Sequence, residues 1–333
     1  MTKRLNSFLD ALIFLCFLFI SLILALSKSL SNAVLDAIML WAGCVLPALF
    51  PYLFISAIFS QLKTTKKLSA FITPLTKRCF NTGGAVGYAF LLSLISGYPM
   101  GAKAVCDLKL SGAISEIESE RASAFCSTSS PTFLIGSVGN LMFSSPFFGV
   151  LLFICHLFSA FLVGFIFSFY KKKSEKNNLP ISFLSKNIMS EQTEKSANFL
   201  YDGVYNSIIS VLVVGGIIVL FYLLTEILLL FKIISPLSYA LSFVFQSEKT
   251  AESFLLGLFE CTRGLKSLST LGLTPLSLPI SALITGFGGL SVIVQSVAFL
   301  KRAKIKTAPF IFAKLLSAVL NFIFGLIFTA IFL

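Results

Sequence analysis

The feature that most restricts how this chain can fold is the length of its uncharged apolar runs. Residues 122–170 contain no Asp, Glu, Lys or Arg, and the same is true of residues 267–300. A helix that crosses a bilayer needs about 20 mostly apolar residues, and both runs exceed that length. Of the 333 residues, 56% are hydrophobic and 12% are charged, which is about half the charge of a soluble domain. The chain is therefore predicted to lie mostly in lipid.

Charge and residue counts exclude several classes of function. The net charge is +12, and the basic residues cluster between apolar blocks, as in cytoplasmic loops and unlike a nucleic-acid-binding surface. The seven cysteines form no CxxC pair and His156 is the only histidine, which argues against a zinc site. His156 is interpreted as a bundle-facing hydrogen-bonding residue, with a proton relay as the alternative. Because the sequence has no ATP-binding phosphate loop and no nucleophile–base constellation, we predict no ATP-driven motor, no enzyme and no cofactor.

The pattern of apolar runs predicts an all-α polytopic membrane protein with two repeated halves and broken or re-entrant helices, about seven to nine such spans and re-entrant elements in total. Residues 1–32 are predicted to form an N-terminal transmembrane helix, with a cleaved signal peptide as the alternative. Residues 33–170 and 199–333 form the two halves. Residues 171–198, which carry six lysines, form a basic cytoplasmic linker between them.

The positive-inside rule places the N-terminus, the basic loop 61–82 and the linker in the cytoplasm. Three apolar segments lie between that loop and the linker, although the number of crossings between two cytoplasmic segments must be even. The glycine- and proline-interrupted segment 85–108 is therefore predicted to enter and leave the membrane on the same side. The loop 301–306 is also basic, yet a strict inverted repeat would place it outside, and the sequence leaves that conflict open.

Prolines and serines predict where several helices break. Pro47 and Pro51 are expected to kink or break the second apolar run. The run 122–170 is expected to contain two spans that are divided near Ser144–Pro146.

Two interrupted segments share one pattern. Residues Ser93–Tyr98 and Ala282–Phe287 each have an apolar lead, a small hydroxyl residue, a glycine and an aromatic residue. Such paired, interrupted segments are a pointer to the binding site of a transporter. Non-helical backbone in a membrane is tolerated where protein or a wet cavity satisfies it, and the start of a half-helix favours anions. Glycine-rich helix packing is the alternative interpretation.

Four motifs carry a family resemblance. The stretches Ser96–Lys103 (SGYPMGAK), Phe125–Pro131, Gly257–Gly264 and Gly286–Ser291 (GFGGLS) resemble the signatures of the sporulation integral membrane protein YlbJ family, whose members carry nucleoside-recognition, or Gate, repeats. The resemblance extends over roughly residues 35–330. One residue departs from the family pattern, because Ser127 stands where an asparagine is expected.

The resemblance implies a function and a location. Residues 33–170 and 199–333 would be Gate-like repeats, and the protein would transport dipicolinate across the outer forespore membrane, or lie in the cell membrane, of an endospore-forming bacterium. A nucleoside permease and a non-transporting scaffold in spore morphogenesis are the alternatives. The expected partners are the lipid bilayer, a small anionic substrate, and a second copy of the chain or other sporulation membrane proteins, but no nucleic acid.

A planar dianion needs cations, backbone donors and a flat apolar slot. Lys103, Arg121 and Arg263 are the candidate cations; a snorkelling lysine and internal pairs with Glu118 and Glu260 are the alternatives. Aromatic side chains are expected to stack on the substrate, hydroxyl groups to donate hydrogen bonds, and Glu260 to couple transport to protons or to anchor a helix. The predicted substrate-binding residues are Ser96, Gly97, Tyr98, Pro99, Gly101, Lys103, Arg121, Ser127, Thr128, Ser129, Ser130, Glu260, Arg263, Gly286, Phe287, Gly288, Gly289, Ser291 and Gln295.

Overall fold

A computed structural model describes residues 13–61, apart from 16, 20 and 24, together with residues 64–171 and 199–332. Most of the predicted linker, residues 172–198, and the first 12 residues lie outside the described residues. The first half contains α1 (Ser27–Leu40), the π-helical turn π1 (Trp41–Val45), α2 (Leu46–Gln61), α3 (Thr64–Phe80), α4 (Gly84–Ser96), α5 (Met100–Leu110), α6 (Glu116–Phe125), the π-helix π2 (Thr132–Met142) and α7 (Pro146–Phe167). The second half contains α8 (Phe199–Leu230), α9 (Ile234–Phe245), α10 (Glu248–Phe259), α11 (Cys261–Ser269), α12 (Ser277–Phe287), α13 (Gly289–Arg302) and α14 (Ala308–Phe332).

The described residues contain helices and no strand. Among the described residues, five stretches are long and apolar enough to cross a membrane, and the bent pair Phe71–Phe80 and Gly84–Ser96 would be a sixth if it formed one span. The five are Lys28–Ile55, Pro146–Phe167, Gly203–Leu230, Ser277–Arg302 and Ala308–Phe332. Large apolar side chains on these helices remain exposed, as expected for surfaces that contact lipid. The predicted all-α polytopic membrane fold is confirmed.

Prolines interrupt the helices less than the sequence predicted. The helix of residues 27–61 continues past Pro47 because π1 precedes it, and the N–H of Leu46 bonds to the carbonyl of Trp41, five residues back. Pro51 lies inside α2 without ending it. The predicted division of residues 122–170 is correct, because Ser145 caps α7 and Pro146 begins it.

The order of elements is the same in the two halves, and the packing repeats with it. Helix α6 packs against α14 as α12 packs against α7, and α5 packs against α13 as α11 packs against π2. In this order α7 corresponds to α14, and the broken pair α6–π2 corresponds to α12–α13.

The corresponding helices α7 and α14 run in opposite directions. Lys171, just after α7, lies 2.6 Å from the carboxylate of Glu120, and Lys306, just before α14, lies 3.5 Å from the same carboxylate. At the other end the rings of Phe147 and Phe332 are 6.4 Å apart. The loop 301–306 therefore lies at the same end as the start of the linker, which we call the basic face. This answers the question that the charge pattern left open.

Helices α4 and α5 form a re-entrant hairpin, as predicted for residues 85–108. The N–H of Gly83, before α4, donates to Glu118 over 3.0 Å at the basic face. Asp107, near the end of α5, returns to within electrostatic reach of Arg302 at the same face. The tip of the hairpin is Gly97–Pro99, where Gly97 has a φ of 76°.

The second hairpin is not the one that the sequence alignment predicted. Helices α10 and α11 lie side by side, with the hydroxyl oxygens of Ser253 and Ser267 2.8 Å apart, and their tip is Glu260. The aligned segment 282–287 belongs instead to a crossing that is broken at Gly288, with a φ of 86°. Positive-φ glycines occur at a hairpin tip and at a broken crossing alike, so the glycine pattern did not separate them.

The crossing that corresponds to α12–α13 is also broken. Residues 122–142 were predicted to form one span, but α6 ends at Phe125 and π2 begins at Thr132. The residues between them, 126–131, are mostly non-helical. The hydroxyl run before Pro131 therefore lies at a helix break.

Candidate functional site

Four helix breaks of the described chain meet around one central cavity. Its unfilled space is about 460 Å³, including the open mouth. Polar lining comes from each break, and the crossing helices α2 and α8 close the cavity with aliphatic side chains. The lining residues used below are Val45, Leu49, Gly97, Tyr98, Ser129, Ser130, Val214, Ile218, Glu260, Cys261, Ser291 and Gln295.

The tips of the two hairpins touch in this cavity. The hydroxyl oxygen of Tyr98 lies 3.7 Å from the sulfur of Cys261. A Cβ atom on Gly97 would lie 3.0 Å from the backbone nitrogen of Ser130. Together with its positive φ, this close approach requires glycine at the first tip.

Side chains accept hydrogen bonds from backbone N–H groups of the broken segment 126–131. The N–H of Thr128 donates to the hydroxyl of Ser93 over 3.0 Å, and the N–H of Ser129 donates to Nε2 of His156 over 2.8 Å. His156 is 1% exposed, so its interpretation as a bundle-facing hydrogen-bonding residue is correct. Unwound backbone at this depth is stable because protein groups replace the missing helical bonds.

Glu260 forms the second tip in an extended conformation and caps α11. Its carboxylate accepts a hydrogen bond of 2.6 Å from the N–H of Arg263, and Glu260 is 2% exposed. A buried carboxylate that lines a cavity is costly unless something compensates its charge. Of its two predicted roles, helix anchoring is visible in the structure, and proton coupling stays a prediction.

Two polar atoms in the cavity wall lack a partner among the described residues. Ser291 Oγ and Gln295 Oε1 are buried and make no hydrogen bond. They lie one turn apart on α13, and both residues line the cavity. Buried polar atoms are nearly always satisfied, by protein, water or ligand. These two atoms are therefore the groups in the wall that are best placed to bind a polar solute.

Lys314 is a central residue that the predicted site omitted. It lies in α14 with 2% exposure, and its ammonium donates to the carbonyl of Ser127 over 2.7 Å. The same ammonium lies 4.9 Å from the ring centroid of Tyr98. A signal was present in the sequence, because Lys314 is the one charge in residues 307–333 and intramembrane charges mark functional sites.

The three predicted cations lie outside the cavity. Arg121 donates to the carbonyls of Tyr170 and Asn81 near the basic face. The guanidinium of Arg263 pairs with Glu226 on α8 rather than with Glu260. Lys103 is half-buried on α5, and it does not line the central cavity.

The remaining predicted residues shape the breaks. A Cβ atom on Gly101 would lie 2.0 Å from the carbonyl oxygen of Cys126, and one on Gly286 would lie 2.6 Å from the amide nitrogen of Asn321. These glycines make room for neighbouring segments to approach closely, and they do not line the cavity. Ser96, Pro99, Phe287, Gly288 and Gly289 lie beside the tips and breaks without lining the cavity, and Ser127 and Thr128 line a second, smaller pocket.

These features define a class of protein: a multi-pass integral membrane protein in which re-entrant hairpins and broken crossings surround a central cavity. The chain is 28% identical over 301 residues to the sporulation integral membrane protein YlbJ of Bacillus subtilis (strain 168), and the alignment covers 86% of this chain and 74% of that protein. The predicted resemblance to the YlbJ family is thereby confirmed. No family model and no solved structure matches the chain.

Proposed function

We propose that this protein carries a small organic solute across a membrane during endospore formation, without ATP, and that the solute is dipicolinate. The observation that carries the proposal is the central cavity, whose wall holds the buried hydroxyl of Ser291, a donor with no partner among the described residues, and the side-chain amide of Gln295, which carries N–H donors. The relative that the chain resembles is a sporulation integral membrane protein, which supports a role during endospore formation.

The arrangement of the hairpins supports transport over a scaffold role. The two hairpins correspond in element order, and the crossings α7 and α14 that follow them are antiparallel. Oppositely oriented repeats around a central site are the architecture in which one repeat can rock against the other to open either side. A scaffold needs no such cavity.

The lining of the cavity supports a flat, partly polar solute. Val45 and Ile218 contribute aliphatic walls, Tyr98 contributes a ring, and Ser129 and Ser130 contribute hydroxyl groups. Such a mixture of apolar walls and a few polar groups is typical of small-molecule sites. An aromatic dicarboxylate fits it, provided that its charge is compensated.

The two candidate solutes differ in the charge compensation that they need. Glu260 lines the cavity and repels a dianion, whereas Lys314, behind the ring of Tyr98, attracts one. A carried dianion therefore needs a proton or a cation beside Glu260. A neutral nucleoside needs neither, and the Glu260 carboxylate would accept hydrogen bonds from its hydroxyls, so a nucleoside remains the second candidate.

The test is uptake of labelled dipicolinate, and separately of a labelled nucleoside, into vesicles that contain the purified chain. Replacing Gln295 by leucine removes a polar group from the wall, and we expect dipicolinate uptake to fall about tenfold. Ser296→Ala is the control, because the Ser296 hydroxyl is buried on the same helix with no partner among the residues that the structure describes, and it does not line the cavity. Uptake of the nucleoside alone would reject dipicolinate, and uptake of neither would favour the scaffold.

A further inference from the structure

A second pocket lies on the opposite side of the broken segment 126–131 from the central cavity. Its unfilled space is about 240 Å³. Part of its wall is apolar, from Phe125 and Val163 among others, and the polar part includes Ser127, His156 and Lys314. None of the predicted or proposed roles accounts for this group of residues.

Lys314 brings a basic group to this pocket, and the lining contains no acid to pair with it. No ion pair among the described residues includes Lys314. Its two contacts are a neutral carbonyl, that of Ser127, and the face of the Tyr98 ring. Lysines are almost never fully buried without a partner, because an isolated charge in an apolar medium is costly. A protonated Lys314 in this pocket therefore needs an anion as its partner.

Two neutral donors border the same pocket. Nε2 of His156 accepts a hydrogen bond from the N–H of Ser129, so the neutral ring carries its proton on Nδ1. Nδ1 is buried and has no partner in the described part of the chain, and the same holds for the hydroxyl of Ser127. The pocket thus combines an N–H donor, an O–H donor and an ammonium group that has unused N–H bonds.

We propose that this pocket binds a small inorganic monoanion of halide size, held by Lys314, His156 and Ser127. One negative charge balances the ammonium, and the two neutral donors complete its coordination. A metal cation does not fit, because the only charge in the lining is positive. The three converging donors and the apolar remainder of the wall favour a single compact ion.

The anion site lies directly behind the central cavity. Ser127 and Thr128 line the small pocket, whereas Ser129 and Ser130, which follow them, line the cavity. A bound anion would fix the conformation of this segment and reduce the positive potential that Lys314 exerts through Tyr98. The site is independent of which solute is carried.

Thermal unfolding of the purified full chain in detergent tests the proposal. The anion of the buffer would be bulky gluconate, with chloride or bromide added in steps. Because an ion that binds only the folded state raises the unfolding midpoint, we expect a saturable rise with either halide. Lys314→Met should abolish the rise, and Ser127→Ala should increase the half-saturating halide concentration about tenfold.

Ser281→Ala is the matched control, because the Ser281 hydroxyl is also buried without a partner in the described part of the chain but does not line this pocket. It should respond to chloride as the unmodified chain does. If Lys314→Met fails to fold, Ser127→Ala and His156→Phe decide the outcome. The absence of a halide response, or an equal response in the unmodified chain and these variants, would overturn the proposal. A response to acetate or dipicolinate, but not to halides, would overturn the assignment to a halide.

Discussion

At the residue scale, the carboxylate of Glu120 links the two halves at the basic face. It is fully buried, yet it contacts Lys171 after the first half and Lys306 in the second. Burial by itself raises the pKa of Glu120. The hydrogen bonds donated by Lys171 and Tyr170, together with the positive charges of Lys171 and Lys306, lower the pKa by more than burial raises it, so the pKa lies below its ordinary value. The hydrogen bond that the Lys171 ammonium donates to Glu120 raises the pKa of Lys171 to about 12.

These shifts predict how stability depends on pH. The folded pKa of Glu120 is below its ordinary value of 4.5, so its contribution is complete above that value and is lost as pH falls through the folded pKa. The contribution of Lys171 is complete below its ordinary value of 10.5 and is lost as pH rises through about 12. Glu120→Gln should lower the free energy of unfolding by about 1 kcal/mol at neutral pH, after allowance for screening of the partly exposed lysine. The unfolding midpoint of the variant should also change less between pH 3 and 6 than that of the unmodified chain, because one titrating carboxylate has been removed.

The matched control is Glu116→Gln, because Glu116 is exposed and lies 3.5 Å from Lys306. It should leave both the midpoint and its pH dependence nearly unchanged. An equal loss in the two variants would contradict a specific role for the buried carboxylate.

At the element scale, close contact between backbones holds each hairpin together. In the second hairpin Gly257 and Gly264 face each other across α10 and α11, and a Cβ atom on Gly264 would lie 2.2 Å from the Cα of Gly257. In the first hairpin a Cβ atom on Gly101 would lie 2.7 Å from the Cβ of Ser93 on the other arm. Small residues allow helices to approach this closely in membranes, where packing rather than hydrophobicity drives association.

Gly264→Ala should therefore separate the arms of the second hairpin and displace its tip at Glu260. Because the obstructing atoms are backbone, we expect destabilisation of about 3 kcal/mol or failure to fold. The comparison variant is Gly216→Ala on α8, where a Cβ atom would meet nothing within 4 Å. The measurement is the thermal unfolding midpoint in detergent. Equal midpoints for the two variants would show that the arms are not in close contact.

At the scale of the whole molecule, the order of helices and the ion pairs define which loops share a side. Glu116 and the loop 301–306 lie together at the basic face. Ser144, before α7, lies near the opposite end, where Phe147 meets Phe332. A Cβ atom on Gly325 would lie 2.6 Å from the Cα of Pro279, so the start of α12 and the loop before it also lie at that end.

This arrangement predicts the accessibility of introduced cysteines in a variant whose native cysteines are replaced by serine. Glu116→Cys and Lys301→Cys should react with a membrane-impermeant thiol reagent from the cytoplasmic side. Ser144→Cys and Leu273→Cys should react from the other side, because all four positions are exposed at helix ends. Reaction of positions 116 and 301 from opposite sides would disprove the antiparallel arrangement of the two halves.

Local physics in the sequence determined a large part of this protein. The length of the apolar runs determined membrane residence, and the glycines and prolines of residues 85–108 determined a re-entrant hairpin with its tip at Gly97. The interruption at residues 282–287 and the division before Pro146 followed from the same rules, since each depends on a few neighbouring residues.

Only the tertiary structure decided which of these breaks meet and which charges reach the cavity. The second hairpin tip is the extended residue Glu260, which no glycine marks, so no local pattern could pair it with Gly97. Lys314 contacts the carbonyl of Ser127, 187 residues earlier in the chain, whereas Arg121 and Arg263 are held by groups elsewhere. Those positions depend on the packing of helices distant in sequence, and residue types and spacing do not specify that packing.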